Sequence, residues 1–282
     1  MRIAISGATD FIGSCLSAYL IEQGYEVEPL NRGSFNREAE VQLMASISNV
    51  DAVINLAGAP INRRWTSDYK QMLYDSRIIP TRMLVNAVNQ TDRVKLFISV
   101  SAVGYYPSDG CYDEFQSVKG ESFLSGLCDA WESEAWRVKQ TVRLSITRLG
   151  IVLSRYGGAF PQLSRSLRMG IAAVVASGKQ AFTWISLTDL MEAMDFIIRH
   201  TDLKGVFNFV TPEQVTYAEF MQALARHDHI FMKVKVPRFV FRILYGEGAE
   251  FITCGQCVKP VRLTEAGFRF KYPGVSGFLN DL

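Results

Sequence analysis

The chain is short of histidine, short of net charge and short of long apolar runs. It has three histidines and five cysteines in 282 residues, and a formal charge of +2. Each shortage excludes something. A near-neutral balance removes the electrostatic drive toward nucleic acid or an anionic membrane. The longest apolar run of note, IAAVVA at 171–176, falls far short of the ~18 residues that a spanning helix needs. The start, MRIAISGATD, carries one basic residue and a brief apolar run before polar turn residues, so it reads as a first strand and not as a secretion signal. His227 and His229 are two apart and do not share a helix face, so no metal site is expected. The cysteines are odd in number and scattered, which predicts a reduced, cytoplasmic protein. Cys254 and Cys257 form one C-x-x-C, read here as two ordinary thiols.

What is present is a well-folded globular composition, 48% apolar and 21% charged, long enough for one large domain or a domain with a lobe. Short β-rich runs alternate with helical patterns through the first half. Strands are predicted at 2–6, 25–30, 52–56, 96–101 and 145–149, and helices at 13–23, 68–89 and 124–141. Such alternation implies βαβ units in a doubly wound, mostly parallel α/β sheet. Residues 33–49 have room for one helix, or for a short strand and a short helix. Beyond Leu153 a glycine-proline break intervenes, then a strand at 207–210 and helices at 217–226 and 238–246. The expected division is a Rossmann-like dinucleotide-binding domain over 1–154 together with 180–210. A smaller C-terminal α/β lobe is expected over 155–179 and 211–282, on the substrate side.

The stretch ISGATDFIG (5–13) is the sharpest local signal. After a strand and before a helix, spaced glycines make the tight turn, let backbone approach a pyrophosphate, and let the helix pack on the strand with its N-terminal N–H groups facing the anion. Gly7 and Gly13 meet the outer needs, but Asp10 stands where a third glycine is expected. A positive φ there would cost a non-glycine residue ~1–2 kcal/mol. A carboxylate ~5 Å from a phosphate would add ~1–3 kcal/mol. Either the cradle is impaired by ~2–5 kcal/mol, or Asp10 turns outward and caps the following helix.

Further stretches carry a resemblance. VDAVINLAG (50–58), FISVSAVGYY (97–106), RLGIVLS (148–154) and WISLTDL (184–190), in this order and spacing, resemble the short-chain dehydrogenase/reductase superfamily in its extended or atypical branch. GAPINRRWT (58–66), LCDAWE (127–132), SGKQAFTWISLTDL (177–190) and KPVRLTEAGFRFKYP (259–273) are similar to its "epimerase family protein" subgroup. Members of that subgroup are often labelled nucleoside-diphosphate-sugar epimerases and have their own C-terminal domain of unknown function. The resemblance runs the length of the chain and implies nicotinamide dinucleotide binding. By position, Gly7, Ala8, Thr9, Asp10, Phe11, Ile12 and Gly13 would line the phosphates. Leu56, Ala57 and Gly58 would flank the adenosine-side ribose, and Gly150, Ile151 and Val152 would approach the nicotinamide. An NAD-preferring site places an acid at the end of the second strand. Asn31 and Arg32 stand there instead, and a guanidinium grips a 2′-phosphate that a carboxylate would repel, so NADP(H) is expected over NAD(H), bound weakly.

In the superfamily a tyrosine exchanges a proton with the substrate, a lysine four residues on lowers its pKa, and a serine at a strand end bonds the same oxygen. Ser101 stands at that strand end. Cys128 and Glu132 occupy the tyrosine and lysine positions, and no tyrosine in the chain has a lysine four residues later. Both are expected to face the cleft, so that exchanging them for tyrosine and lysine would be tolerated. Tyr105 and Tyr106 lie at the mouth of the sheet and could act instead, with Glu114 and Glu121 in the next loop. Arg64 and Trp65 could hold an anionic or planar group of a small-molecule substrate, although core or lobe packing is the commoner role of a tryptophan such as Trp65. Asp189 is expected to be structural, at a helix start. Two readings stay open: an NADP-dependent oxidoreductase or epimerase with a non-standard acid/base, and a dinucleotide-binding sensor or partner-binding protein without turnover, as a monomer or homodimer.

Overall fold

The computed structural model describes residues 1–116 and 118–281. The chain order begins β1 (Arg2–Ser6), α1 (Phe11–Glu22), β2 (Glu26–Leu30), α2 (Glu40–Ile47), β3 (Ala52–Asn55), α3 (Ser67–Asn89), β4 (Leu96–Ala102) and β5 (Cys111–Tyr112). It continues α4 (Phe123–Ala135), β6 (Arg143–Leu149), β7 (Ile151–Ser154), β8 (Gly157–Gly158), α5 (Phe160–Leu167), β9 (Ile171–Val175), β10 (Trp184–Ser186), α6 (Leu187–Arg199) and β11 (Gly205–Phe209). The remainder is α7 (Tyr217–His227), β12 (Met232–Val236), α8 (Arg238–Tyr245), α9 (Glu250–Thr253), β13 (Cys257–Val258), α10 (Val261–Glu265) and α11 (Val275–Asn280).

Six parallel strands form the central sheet in the order β11-β6-β4-β3-β1-β2. Their near-continuous apolar runs follow from burial on both faces: β3 is wholly buried and β4 nearly so. One face packs Leu16 and Leu20 of α1 with Leu190, Met194 and Ile197 of α6. The other packs Leu43 and Ile47 of α2 with Leu84 and Val88 of α3 and Ala135 of α4. The strand order reverses at β1, between β3 and β2, and open α/β sheets bind ligands outside the carboxyl ends of such a reversal.

A third cluster is built from residues after Gly150, apart from the two faces of the central sheet. Phe160, Leu167, Phe182, Trp184, Phe220, Leu224 and Phe278 pack together there. Its strands pair as β10-β7-β8 and β12-β9. Of these, the alternation pattern missed β7, β8, β9 and β12, because strands in small separate sheets carry little period of their own. The stretch 33–49 holds two single-turn helices and α2. The helix expected to run to 141 stops at Ala135, where the backbone N–H groups of Trp136 and Arg137 bond the last turn's carbonyls. No helix among the described residues is long and apolar enough to cross a membrane.

One cysteine expectation is corrected. Cys111 and Cys257 form a disulfide between directly paired residues of β5 and β13. Cys254 stays free, so the C-x-x-C does not close on itself. Among the described residues no group of three or more His, Cys, Asp or Glu is arranged to hold a metal ion.

Candidate active site

The cradle is built by backbone at the ends of β1 and β3. Gly7 adopts φ +69°, a conformation L side chains rarely take. A Cβ on Gly13 would stand 2.1 Å from the Gly7 carbonyl oxygen, so α1 sits directly on the turn. The first-turn N–H groups of α1 have no intrahelical acceptors and face the anion position. Ser6, which the motif reading passed over, is the hub beneath. Its Oγ accepts from the N–H groups of Leu56 (3.1 Å) and Ala57 (3.2 Å) and donates to Asn55 Oδ1 (2.6 Å). Asn55 Nδ2 then donates to Thr81 Oγ1 on α3 (2.7 Å), as does Trp131 Nε1 on α4 (2.9 Å). A buried polar chain thus ties the cradle to both helices behind it.

Asp10 is exposed at φ −80°. The strain that a positive φ there would bring is absent; the residue of positive φ is Gly7. Nor does the Asp10 side chain cap α1, although it occupies the N-cap position. Only the electrostatic cost remains. Thr9 is exposed, Ala8 buried, and Ile12 half-buried. The ring of half-buried Phe11 lies against Gly157 and Gly158, which shelters that side of the turn. Asn31 and Arg32 are exposed just past the end of β2. Gly58 lies against the Arg77 guanidinium. Gly150, Ile151 and Val152 carry the chain from β6 into β7, where Ile151 and Val152 pair with Trp184 and Ile185.

The second part of the site is made by β4, β6 and α4. Ser101 and Arg148 are direct register partners, so their side chains share a face. Glu132 comes down on both. Its Oε1 accepts from Ser101 Oγ (2.7 Å) and Arg148 Nε (2.8 Å), and its Oε2 accepts from Arg148 Nη2 (2.7 Å). Both ion-pair side chains are 6% exposed. Burial opposes the guanidinium's charge, but the hydrogen bonds and charge of Glu132 outweigh it and raise the Arg148 pKa. Cys128, one turn earlier on α4, is buried, and burial followed by the Glu132 charge pushes its thiol up to about 11. The expectation that Cys128 and Glu132 face an open cleft is therefore corrected: they are core residues. Sequence reading missed Arg148 because its pairing depends on the β4–β6 register.

Tyr106 is fully buried, stacked on Tyr112, with its hydroxyl 3.1 Å from Asn208 Oδ1. Tyr105 is half-buried, and the Arg148 guanidinium lies 3.5 Å from its ring centroid. Arg77 on α3, also missed, donates to the carbonyls of Ala59 (3.0 Å) and Leu73 (3.1 Å) and faces the Trp131 ring. Burial lowers its pKa. Trp65 is buried against Phe123 and Phe251, and the exposed Arg64 donates to the Ile243 carbonyl at the end of α8 (2.6 Å). Glu121 is exposed. Glu114 accepts from the N–H groups of Asn208 (2.8 Å), Val261 (3.1 Å) and Arg262 (3.4 Å), joining β11 to the C-terminal segment. Asp189 is fully buried and bonds Ser186 Oγ and the N–H groups of Lys271 and Tyr272. Ser186, not Asp189, is the cap of α6.

Fold and cradle together define a Rossmann-type dinucleotide-binding protein of the short-chain dehydrogenase/reductase kind. The chain belongs to the NAD dependent epimerase/dehydratase family, which it matches over residues 3–209. Residues 236–282 match a domain of unknown function, DUF1731. It is 32% identical over 301 residues to the Arabidopsis thaliana epimerase family protein SDR39U1 homolog, chloroplastic, with 100% of this chain and 86% of the relative covered. It is 36% identical over 283 residues to epimerase family protein Mb2239 of Mycobacterium bovis, covering 96% and 93%. The crystal structure of human epimerase family protein SDR39U1 with NADPH superposes with a TM-score of 0.91 at 30% identity, covering 100% of this chain and 98% of that one.

Proposed function

We propose that this chain binds NADP(H) across the carboxyl ends of β1, β2 and β3, and performs reductase- or epimerase-type chemistry without the superfamily's tyrosine–lysine relay. The observation that carries the reading is the cradle, where Gly7 turns at φ +69° and Gly13 lets the start of α1 sit on that turn. The NADPH in the human relative's structure supports the choice of ligand. Gly7 to Gly13 would hold the phosphates, Leu56 to Gly58 the adenosine-side ribose, and Arg32 a 2′-phosphate; Gly150 to Val152 would flank the nicotinamide. When bound, the dinucleotide supplies or accepts hydride. Cys128 and Glu132 cannot serve as proton donor and its cationic partner, since one is a buried thiol and the other is held by Arg148. Tyr105, half-buried on the Arg148 guanidinium, is the phenol best placed to handle a substrate proton.

A second reading, a dinucleotide sensor without turnover, is favoured by the Ser101 hydroxyl, which donates to Glu132 and not toward a substrate oxygen. One titration and one assay separate the two. NADPH binding followed by fluorescence should be tighter than NADH binding, and Arg32→Ala should remove the difference; equal affinity in the natural protein would sink the assignment. NADPH oxidation with a panel of carbonyls and nucleotide sugars, abolished by Tyr105→Phe, would support catalysis. Binding without turnover across the panel would support the sensor.

A further inference from the structure

Away from this cradle lies a cavity of about 550 Å³ lined by Cys111, Cys257, Cys254, Lys179, Asp109 and Thr253, among others. All three sulfur-bearing residues are at least partly exposed. The bond between Cys111 and Cys257 therefore opens onto a space that also holds a free thiol. Cys254 precedes Cys257 by three residues, the spacing at which two cysteines joined by a short loop can close on each other. The Arg238 guanidinium stands 3.7 Å from the Cys254 sulfur.

Gln214 adds an independent observation. Its Nε2 donates to the carbonyls of Pro212 (3.2 Å) and Val258 (3.0 Å), which fixes the amide so that Oε1 faces the bridge. Oε1 lies 3.1 Å from the Cys257 sulfur and 4.0 Å from that of Cys111. A disulfide sulfur has no proton to give. The acceptor acquires a donor only when the bridge opens, so the local structure is already furnished for the opened state.

We propose that this cavity is a thiol–disulfide exchange site for a small-molecule thiol, with Cys111–Cys257 as the exchanged bond and Cys254 as the resolving thiol. The incoming thiolate attacks the Cys257 sulfur. The Cys111–Cys257 bond breaks, Cys111 leaves as a thiolate and takes a proton, and a mixed disulfide forms at Cys257. Cys254, deprotonated, then attacks the same Cys257 sulfur. The Cys254–Cys257 bond forms and the small thiol departs, recovering a proton. The net change is an isomerisation without gain or loss of electrons. Lys179 lines the cavity and Arg238 stands beside Cys254, and both suit a thiol that carries carboxylates. The exchange removes the covalent tie between β5 and β13 and leaves their backbone pairing in place.

The test uses the full-length protein, purified without reductant, incubated with a mixture of reduced and oxidised glutathione, quenched by alkylation and mapped by mass spectrometry. Before incubation the Cys111–Cys257 peptide should be found, with Cys254 alkylated. After incubation the Cys254–Cys257 peptide should appear, with Cys111 alkylated. In Cys254→Ser that peptide is lost and glutathione stays on Cys257. Alkylation of all three cysteines before incubation overturns the proposal. So does a Cys254 that remains alkylated throughout while the other two open and close. Should the serine variant not fold, the two maps of the natural protein decide alone.

Discussion

The two halves of the candidate site have fared differently. At the end of β1 the requirement is met by backbone: a turn of positive φ, a close approach of helix to turn, and free N–H groups. One side chain out of pattern, Asp10, leaves that geometry in place. At the end of β4 the groups are side chains, each held by its neighbours. The buried Glu132 carboxylate needs a counter-cation, Arg148 supplies it from β6, and the Ser101 hydroxyl joins the same cluster. Main-chain sites tolerate local substitution because the groups that bind are not the ones replaced. Side-chain relays do not, because burying a charge obliges its neighbours to answer it.

The strongest way to break this comparison is to remove the acid. Glu132→Gln leaves the Arg148 guanidinium buried and unpaired, which typically costs about 3–5 kcal/mol. A large drop in stability by chemical denaturation is expected. Cys128→Tyr together with Glu132→Lys should do worse, since it sets a second cation beside Arg148 and a phenol in the space of a buried thiol. A stable double variant would show that the cluster is not the core feature described above.

The cradle is probed by Gly13→Ala. The added methyl meets the Gly7 carbonyl, backbone against backbone, so α1 must shift. Such overpacking costs about 1–3 kcal/mol of stability, and NADPH binding should weaken with it in parallel titrations. An alanine variant that keeps both would show that close approach is not what the turn requires.

A smaller effect sharpens the contrast between the sheet and the C-terminal segment. Burial raises the Glu114 pKa above 4.5, against the three backbone N–H groups that favour its charged form. The folded state then holds the proton to higher pH than the unfolded one. This contribution to stability is fully present below 4.5 and is lost as pH rises through the folded value. Denaturation midpoints should fall over that window, and Glu114→Gln should flatten the fall. An unchanged profile would mean that other carboxyls set it.

The smallest effect concerns Asp10. With no strain to relieve, Asp10→Gly gains only the electrostatic part. For an exposed carboxylate ~5 Å from a phosphate that is ~1 kcal/mol, roughly fivefold in affinity. NADPH affinity that does not change would place the carboxylate outside the reach of the phosphates.

Much of this was legible in the residues. The alternation of short apolar runs with helical periods marked the main strands within one or two residues, and α3 was anticipated to a single residue at its start. Ser101 and the absence of a tyrosine–lysine pair could be read directly. Other features could not. The Asp10 conformation depends on which position of the turn carries the positive φ, and sequence spacing left that open. Among the described residues the strands β9 and β12 pair only with each other, so no sheet-wide pattern announced them.

The sequence by itself determined the dinucleotide-binding scaffold, because turn glycines, helix starts and buried strands are set by interactions between near neighbours. The tertiary structure alone decided three things: that Arg148 closes on Glu132, that Trp65 is packed within apolar neighbours, and that Cys111, not Cys254, bonds Cys257. Each depends on strand register or on segments far apart in the chain. Glu132 and Arg148 are 16 residues apart and Cys111 and Cys257 are 146 apart, and nothing in the local pattern of either partner encodes which residue the fold will set opposite.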